Sequence, residues 1–174
     1  RSGRSSQIVA VLPNIKSALY CDLCNQLQAY ATSQGYQFYT AVSNDNLEEE
    51  HSILKNLVSS AKTIGIFLSP TSSNPSDYSF LYESEIPFIC VERYIDDDIT
   101  PRILFDYHAA FQSATSYFFE SGHENVLFLV EKTDSLAKQE KIAGYEKALL
   151  CANRTLSNSC IAEISLYQSY DLIS

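Results

Sequence analysis

The run Gln7-Ile8-Val9-Ala10-Val11-Leu12, followed by Pro13-Asn14-Ile15 and then by Lys16 to Cys21, most restricts what this chain can become. A short, almost uninterrupted apolar run predicts a strand covered on both faces, the habit of a parallel sheet. Its loop feeds an amphipathic helix. In an open α/β sheet such a loop lies at the carboxyl end of a strand, where these folds bind ligands. The same strand–loop–helix unit recurs along the chain. That pattern points to a ligand-binding protein built from βα repeats rather than to an enzyme with a fixed catalytic constellation.

Residues 19–33 read as a helix, with Tyr20, Leu23, Cys24, Leu27, Tyr30 and Ala31 at three- and four-residue spacing and Gly35 as its stop. Residues 36–42 read as a second strand. Asn44-Asp45-Asn46 makes a turn and N-cap for a helix over 46–60, with Glu48, Glu49 and Glu50 in the first turn, where the helix dipole favours acids. Further strands are expected at 64–68, 87–91, 103–105, 126–130 and 160–165. Helices are expected at 77–84, 108–120 and 136–152. Strands alternating with helices at this spacing imply a doubly wound parallel α/β sheet. Only two strands follow residue 122, so the second sheet reads as unfinished.

Charge and composition exclude several classes. A net charge of −9 repels phosphate backbones, so nucleic acid is a poor partner for these residues themselves. No apolar stretch approaches the roughly 18 residues that cross a bilayer, and no signal-peptide core follows the polar start. The expectation is a cytoplasmic protein with no membrane partner. Five cysteines without scaffold spacing favour reduced thiols. Cys21 and Cys24 form a Cys-x-x-Cys, but zinc needs a second ligand pair, and Cys24 fits the buried helix stripe. There is no Walker loop, no Gly-x-Gly-x-x-Gly after the first strand and no Gly-x-Ser-x-Gly elbow. No catalytic residue, metal or cofactor is expected, and the chain is read as a non-enzyme.

Several short elements, in this order and at this spacing, resemble the effector-binding core of LacI/GalR-type transcriptional repressors, which share the type I periplasmic-binding-protein fold. Arg1 to Ser6 is similar to the linker after that family's DNA-binding headpiece, and Ile8 to Tyr20 to its first strand and loop. Val91-Glu92-Arg93 is similar to an Asp-Arg strand ending, and Phe105 to Ala110 to an Asp-Asn-x-x-Ala element. Ser121 to Val126 resembles the Gly-His before the crossover strand, and Lys141 to Tyr145 the Arg-x-x-Gly-Tyr element. The resemblance covers nearly the whole chain. It implies a linker at 1–6, an N-terminal lobe at 7–121 and the start of an incomplete C-terminal lobe at 122–174. It implies the effector-binding and dimerising core of a bacterial regulator, with a small polar metabolite (sugar, sugar phosphate or purine) in a cleft between lobes. The implied partners are a second copy, through helices 19–33 and 46–60, and operator DNA through a headpiece not in this chain. The alternative is an extracytoplasmic sugar receptor or sensor input domain without a DNA function.

By that resemblance Leu19 and Tyr20 wall the cleft, Tyr20 stacking on a sugar ring; otherwise Tyr20 starts the helix and packs in the core. Arg93 offers planar donation to ligand oxygens, or pairs with Glu92 or the Asp96–Asp98 run. Asp106 can accept two hydroxyl hydrogen bonds, or cap the helix at 108–120. Thr71 and Ser135 lie in loops facing the expected cleft. Lys141 stands where the family has Arg, and is either a point charge at the cleft or an exposed helix lysine. Ala18, Glu92 and Tyr107 also depart from the family's Pro, Asp and Asn. The reading requires Tyr20, Arg93 and Asp106 to meet at one rim of the sheet.

Overall fold

A computed structural model describes residues 6–132, 135–154 and 161–164. The chain divides into two compact units, residues 1–104 and 105–174. The first holds strands β1 (Gln7–Leu12), β2 (Gln37–Val42), β3 (Thr63–Leu68), β4 (Phe88–Val91) and β5 (Arg102–Ile103). Its helices are α1 (Ala18–Ser33), α2 (Leu47–Val58) and the single turn α3 (Ser79–Tyr82), which a 3-10 turn at Pro75–Tyr78 precedes. The strands lie in the order β2-β1-β3-β4-β5, all parallel.

β1 is the central strand that its apolar run predicts. Val9 to Leu12 are each at most 3% exposed. Alternate residues of a strand point to opposite faces, and both faces are covered. Val9 and Val11 pack with Ile66 and Leu68 under Leu54 of α2 and Leu81 of α3. Ala10 and Leu12 pack with Tyr20 and Leu23 of α1. The chain therefore leaves β1 across one face and returns to β3 across the other. The two neighbouring strands part at this point, and their carboxyl ends border the crevice that such sheets offer a ligand. α1 ends at Gly35, whose φ of +80° lets Tyr36 N–H reach the Ala31 carbonyl at 2.9 Å.

The second unit holds α4 (Tyr107–Glu120), β6 (Phe128–Glu131), α5 (Leu136–Cys151) and β7 (Ile161–Ile164), with β6 and β7 parallel. Phe128, Val130, Tyr145 and Leu149 form its core. The sequence places the 108–120 helix with the first lobe; the structure groups it with the second unit. The reason is Gly144 of α5, whose missing side chain lets the α4 backbone come close: a Cβ there would lie 2.2 Å from the His108 carbonyl oxygen. β6 starts at Phe128, and just ahead of it Tyr145 Oη donates to the Val126 carbonyl at 2.7 Å, tying α5 to the approach to the strand. Residues 160 and 165, expected in the last strand, lie outside the described residues, as does the 1–5 part of the expected linker. Among the described residues no helix is long and apolar enough to cross a membrane.

Candidate functional site

The carboxyl ends of β1 and β3 are joined by side chains. Tyr20, in the first turn of α1, lies with its ring against Ala10, Leu12 and Val91 and is 5% exposed. Its hydroxyl lies 2.8 Å from Ser69 Oγ, just past β3, and donates to Glu92 Oε2 at 2.9 Å, just past β4. Burial above all, with the Glu92 carboxylate adding to it, lifts the Tyr20 phenol well above its ordinary value, so it remains a donor at physiological pH. One hydroxyl thus ties together the ends of three strands.

Glu92 turns the chain sharply. Its φ is +66°, and Arg93 N–H reaches back to the Val91 carbonyl at 2.7 Å, forming a γ-turn. A non-glycine residue held there costs of order 1–3 kcal/mol, and such strain concentrates where side chains must be aimed. The turn is held by Glu92 N–H to the Ile103 carbonyl at 2.9 Å and by Tyr20. Arg93 then extends toward the loop after β2. Its Nη1 donates to Asp45 Oδ1 at 2.5 Å, and its Nε lies 3.8 Å from Glu92 Oε2. Burial works against the guanidinium's charge, but the bond to Asp45 and the nearby carboxylates outweigh it and raise its pKa. Asp45 is fixed in its turn: Asn44 and Asp45 both have φ of +55°, a conformation these two residue types tolerate, and Asn46 caps α2 by accepting from Glu49 N–H at 2.9 Å.

On the other face of the same edge, Glu50 is fully buried. Its Oε1 accepts from Tyr78 Oη at 2.6 Å, and its Oε2 from the Thr71 hydroxyl at 2.8 Å and the Thr71 N–H at 3.1 Å. Burial first, then Glu50, lifts the Tyr78 phenol above its usual range. A buried carboxylate persists only with such donors. This one ties the loop that carries Ser69 to α2.

All seven of the expected contact residues thus have assigned surroundings in their own units. Tyr20 and Arg93 are brought together around Glu92. Arg93 takes Asp45 as its main partner, with Glu92 next to it; in the Asp96–Asp98 run, Asp97 is engaged by Thr100 and the Tyr82 hydroxyl. Thr71 is the clasp of Glu50. Leu19 is half-buried beside Tyr20. In the second unit, Asp106 accepts from Ala109 N–H at 2.8 Å and Ser135 from Lys138 N–H at 3.2 Å, each capping its helix. Lys141 is half-buried, with Nζ 4.7 Å from the centre of the Tyr107 ring, so the two departures from the family pattern touch each other. Of the Cys-x-x-Cys pair, Cys21 donates to the Ile15 carbonyl and Cys24 accepts from the Thr40 hydroxyl; both are free thiols.

Sequence reasoning missed Asp45 and Glu50 as members of this edge. Asp45 reads as an ordinary turn residue until the strand order puts β2 beside β1. Glu50 reads as the third of three acids favoured by a helix dipole. The signal for it was positional: it lies three residues before Ile53 and four before Leu54, on the stripe of α2 that faces the sheet.

Residues 5–167 match the family model described as periplasmic binding proteins and sugar binding domain of LacI family. The chain is 24% identical over 165 residues to catabolite control protein A of Priestia megaterium, covering 93% of this chain and 49% of that protein. It is 29% identical over 149 residues to a probable HTH-type transcriptional repressor, ExuR, of Bacillus subtilis, covering 83% and 40%. The crystal structure of the transcription regulator CcpA of Lactococcus lactis superposes with a TM-score of 0.81 at 24% identity, covering 97% of this chain and 62% of that one. The chain spans about half the length of the curated relatives it matches.

Proposed function

The chain belongs to the family of periplasmic binding proteins and LacI-family sugar-binding domains, and we propose that it is the effector-sensing core of a transcription regulator. Its ligand is a small polar metabolite, a sugar first among them, at the carboxyl edge of the five-stranded sheet. The observation that carries this reading is the Tyr20–Ser69–Glu92 junction with Arg93 and Asp45, where the helices leave β1 and β3 on opposite faces. Carboxylates and a guanidinium fixed on a rigid edge are suited to the paired hydroxyls of a sugar. The Tyr20 ring is used by the core, so its part is to position Ser69 and Glu92 rather than to stack on the ligand. Leu19 and Thr71 are kept as further candidate contacts on this edge, and Asp106, Ser135 and Lys141 as candidate contacts on the second unit by itself.

The regulators named above are transcription factors rather than enzymes, which favours sensing over catalysis and a place in the cytoplasm. With a net charge of −9, operator contact would come from a DNA-binding headpiece and not from these residues. A homodimer through α1 and α2 would couple two such cores. The effector shifts the regulator only by its differential affinity for two arrangements of the protein.

Thermal-shift screening of the chain against sugars, sugar phosphates and purines tests the reading. A true effector stabilises by RT ln(1 + [L]/Kd), about 2.7 kcal/mol at a hundred times Kd, and the midpoint climbs with its concentration. A panel in which no member of these classes gives a concentration-dependent rise would overturn it.

A further inference from the structure

Asp45 and Arg93 decide what charge this edge accepts. Arg93 is the cation of the network, and it lies between two carboxylates. Asp45 Oδ1 is 2.5 Å from its Nη1, and Glu92 Oε2 is 3.8 Å from its Nε. Glu48 and Glu49, in the first turn of α2, add negative charge beside the Asp45 turn, with Asn44 bonded to Glu49 at 3.2 Å. Neither partner is loosely placed. Asp45 stands in a turn with two successive positive φ angles, and Arg93 follows the γ-turn at Glu92.

We propose that Asp45 is a specificity-determining residue, holding Arg93 out of reach of anions so that this edge selects uncharged polyhydroxylated ligands over phosphorylated ones. The inference rests on the sensing role proposed above and narrows its ligand class. A phosphate is chiefly an acceptor and carries a charge of the wrong sign for Asp45 and Glu92. To bind Arg93 it must displace Asp45 from a charge-assisted bond and then remain beside two carboxylates. A sugar hydroxyl is both donor and acceptor, so it can donate to a carboxylate and accept from a guanidinium N–H without breaking their pair. The arrangement thus excludes the wrong ligand by repulsion as well as admitting the right one.

The test uses inorganic phosphate as the probe at constant ionic strength, reading the Arg93 side-chain Nε–H resonance of the isotope-labelled chain. The expected result is no saturable shift in the wild type. Asp45→Asn should bind phosphate tighter by about tenfold or more, and Asp45→Asn with Arg93→Ala should lose that gain. Asn and Gly both accept the positive φ, so Asp45→Gly is the second variant and must show the same gain. Phosphate binding by the wild type within about threefold of Asp45→Asn, or no gain in either variant, would overturn the proposal. The outcome separates from that of the effector screen. A phosphate gain on losing Asp45, with no neutral sugar bound by the wild type, keeps the gate and removes the sugar reading. Wild-type phosphate binding removes the gate and leaves sensing untouched.

Discussion

Tyr20→Phe is the most informative single change. It keeps the ring that packs on Ala10, Leu12 and Val91 and deletes the hydroxyl that joins three strand ends. Two partners lose it at once. Ser69 is fully buried, and the Glu92 side chain is 16% exposed. A neutral hydrogen bond is worth about 1 kcal/mol net and one to a charged group about 1.5–3. Water reaching Glu92 returns part of the second, which leaves a loss of about 2–3 kcal/mol. The readout is native-state hydrogen exchange at β1 and β3 amides such as Val11 and Leu68, which reports on the first unit by itself. Tyr30→Phe, at a tyrosine 70% exposed, is the control and should change nothing beyond about 0.5 kcal/mol. If Tyr20→Phe behaves like that control, the hydroxyl does not hold the strand ends and the site's architecture is wrongly assigned.

Gly144→Ala should destabilise the second unit although alanine favours helix. Its Cβ would meet backbone atoms of α4, the His108 oxygen at 2.2 Å and the Gln112 nitrogen at 3.1 Å, which no rotamer relieves. Overpacking of about 1–3 kcal/mol exceeds the roughly 1 kcal/mol of helix propensity gained, and exchange at α5 amides reads the difference. For Asp97, burial pulls its pKa up, but hydrogen bonds from the Tyr82 hydroxyl and from Thr100 and Ile99 bring it down to about 2. A depressed carboxyl stabilises above its unfolded pKa of about 3.9, and that contribution disappears as pH falls from there through the folded value. Acid titration of stability should therefore show a loss between about pH 4 and 2 that Asp97→Asn removes.

The legible parts of the fold were those set by local chemistry. β1 is readable because the five-residue apolar run Ile8–Leu12 has few other destinations, and α2 because Asn46 and the acids after it mark a helix start. The caps made by Asp106 and Ser135 belong to the same class. What could not be read depends on contacts distant in sequence. Arg93 pairs with Asp45, 48 residues away, only because the segments after β2 and β4 reach toward each other across the carboxyl ends of β1 and β3, which lie between them. Tyr20 could be placed at the strand end, yet whether its ring faced ligand or core depended on Ala10, Leu12 and Val91 together. The division of the chain after Leu104 was hidden because a helix's apolar stripe does not say which neighbour it covers; a glycine contact in α5 decides it.

Ligand sensing at the carboxyl edge where β1 and β3 part should leave a local footprint on the backbone amides. Hydrogen-exchange mass spectrometry with and without the best neutral sugar from the effector screen tests it most directly. Added protection is expected in residues 12–20, 43–46, 69–72 and 91–94, and little elsewhere in the first unit. Protection confined to the amino ends of the strands or to the outer faces of α1 and α2, with these four segments unchanged, would contradict it.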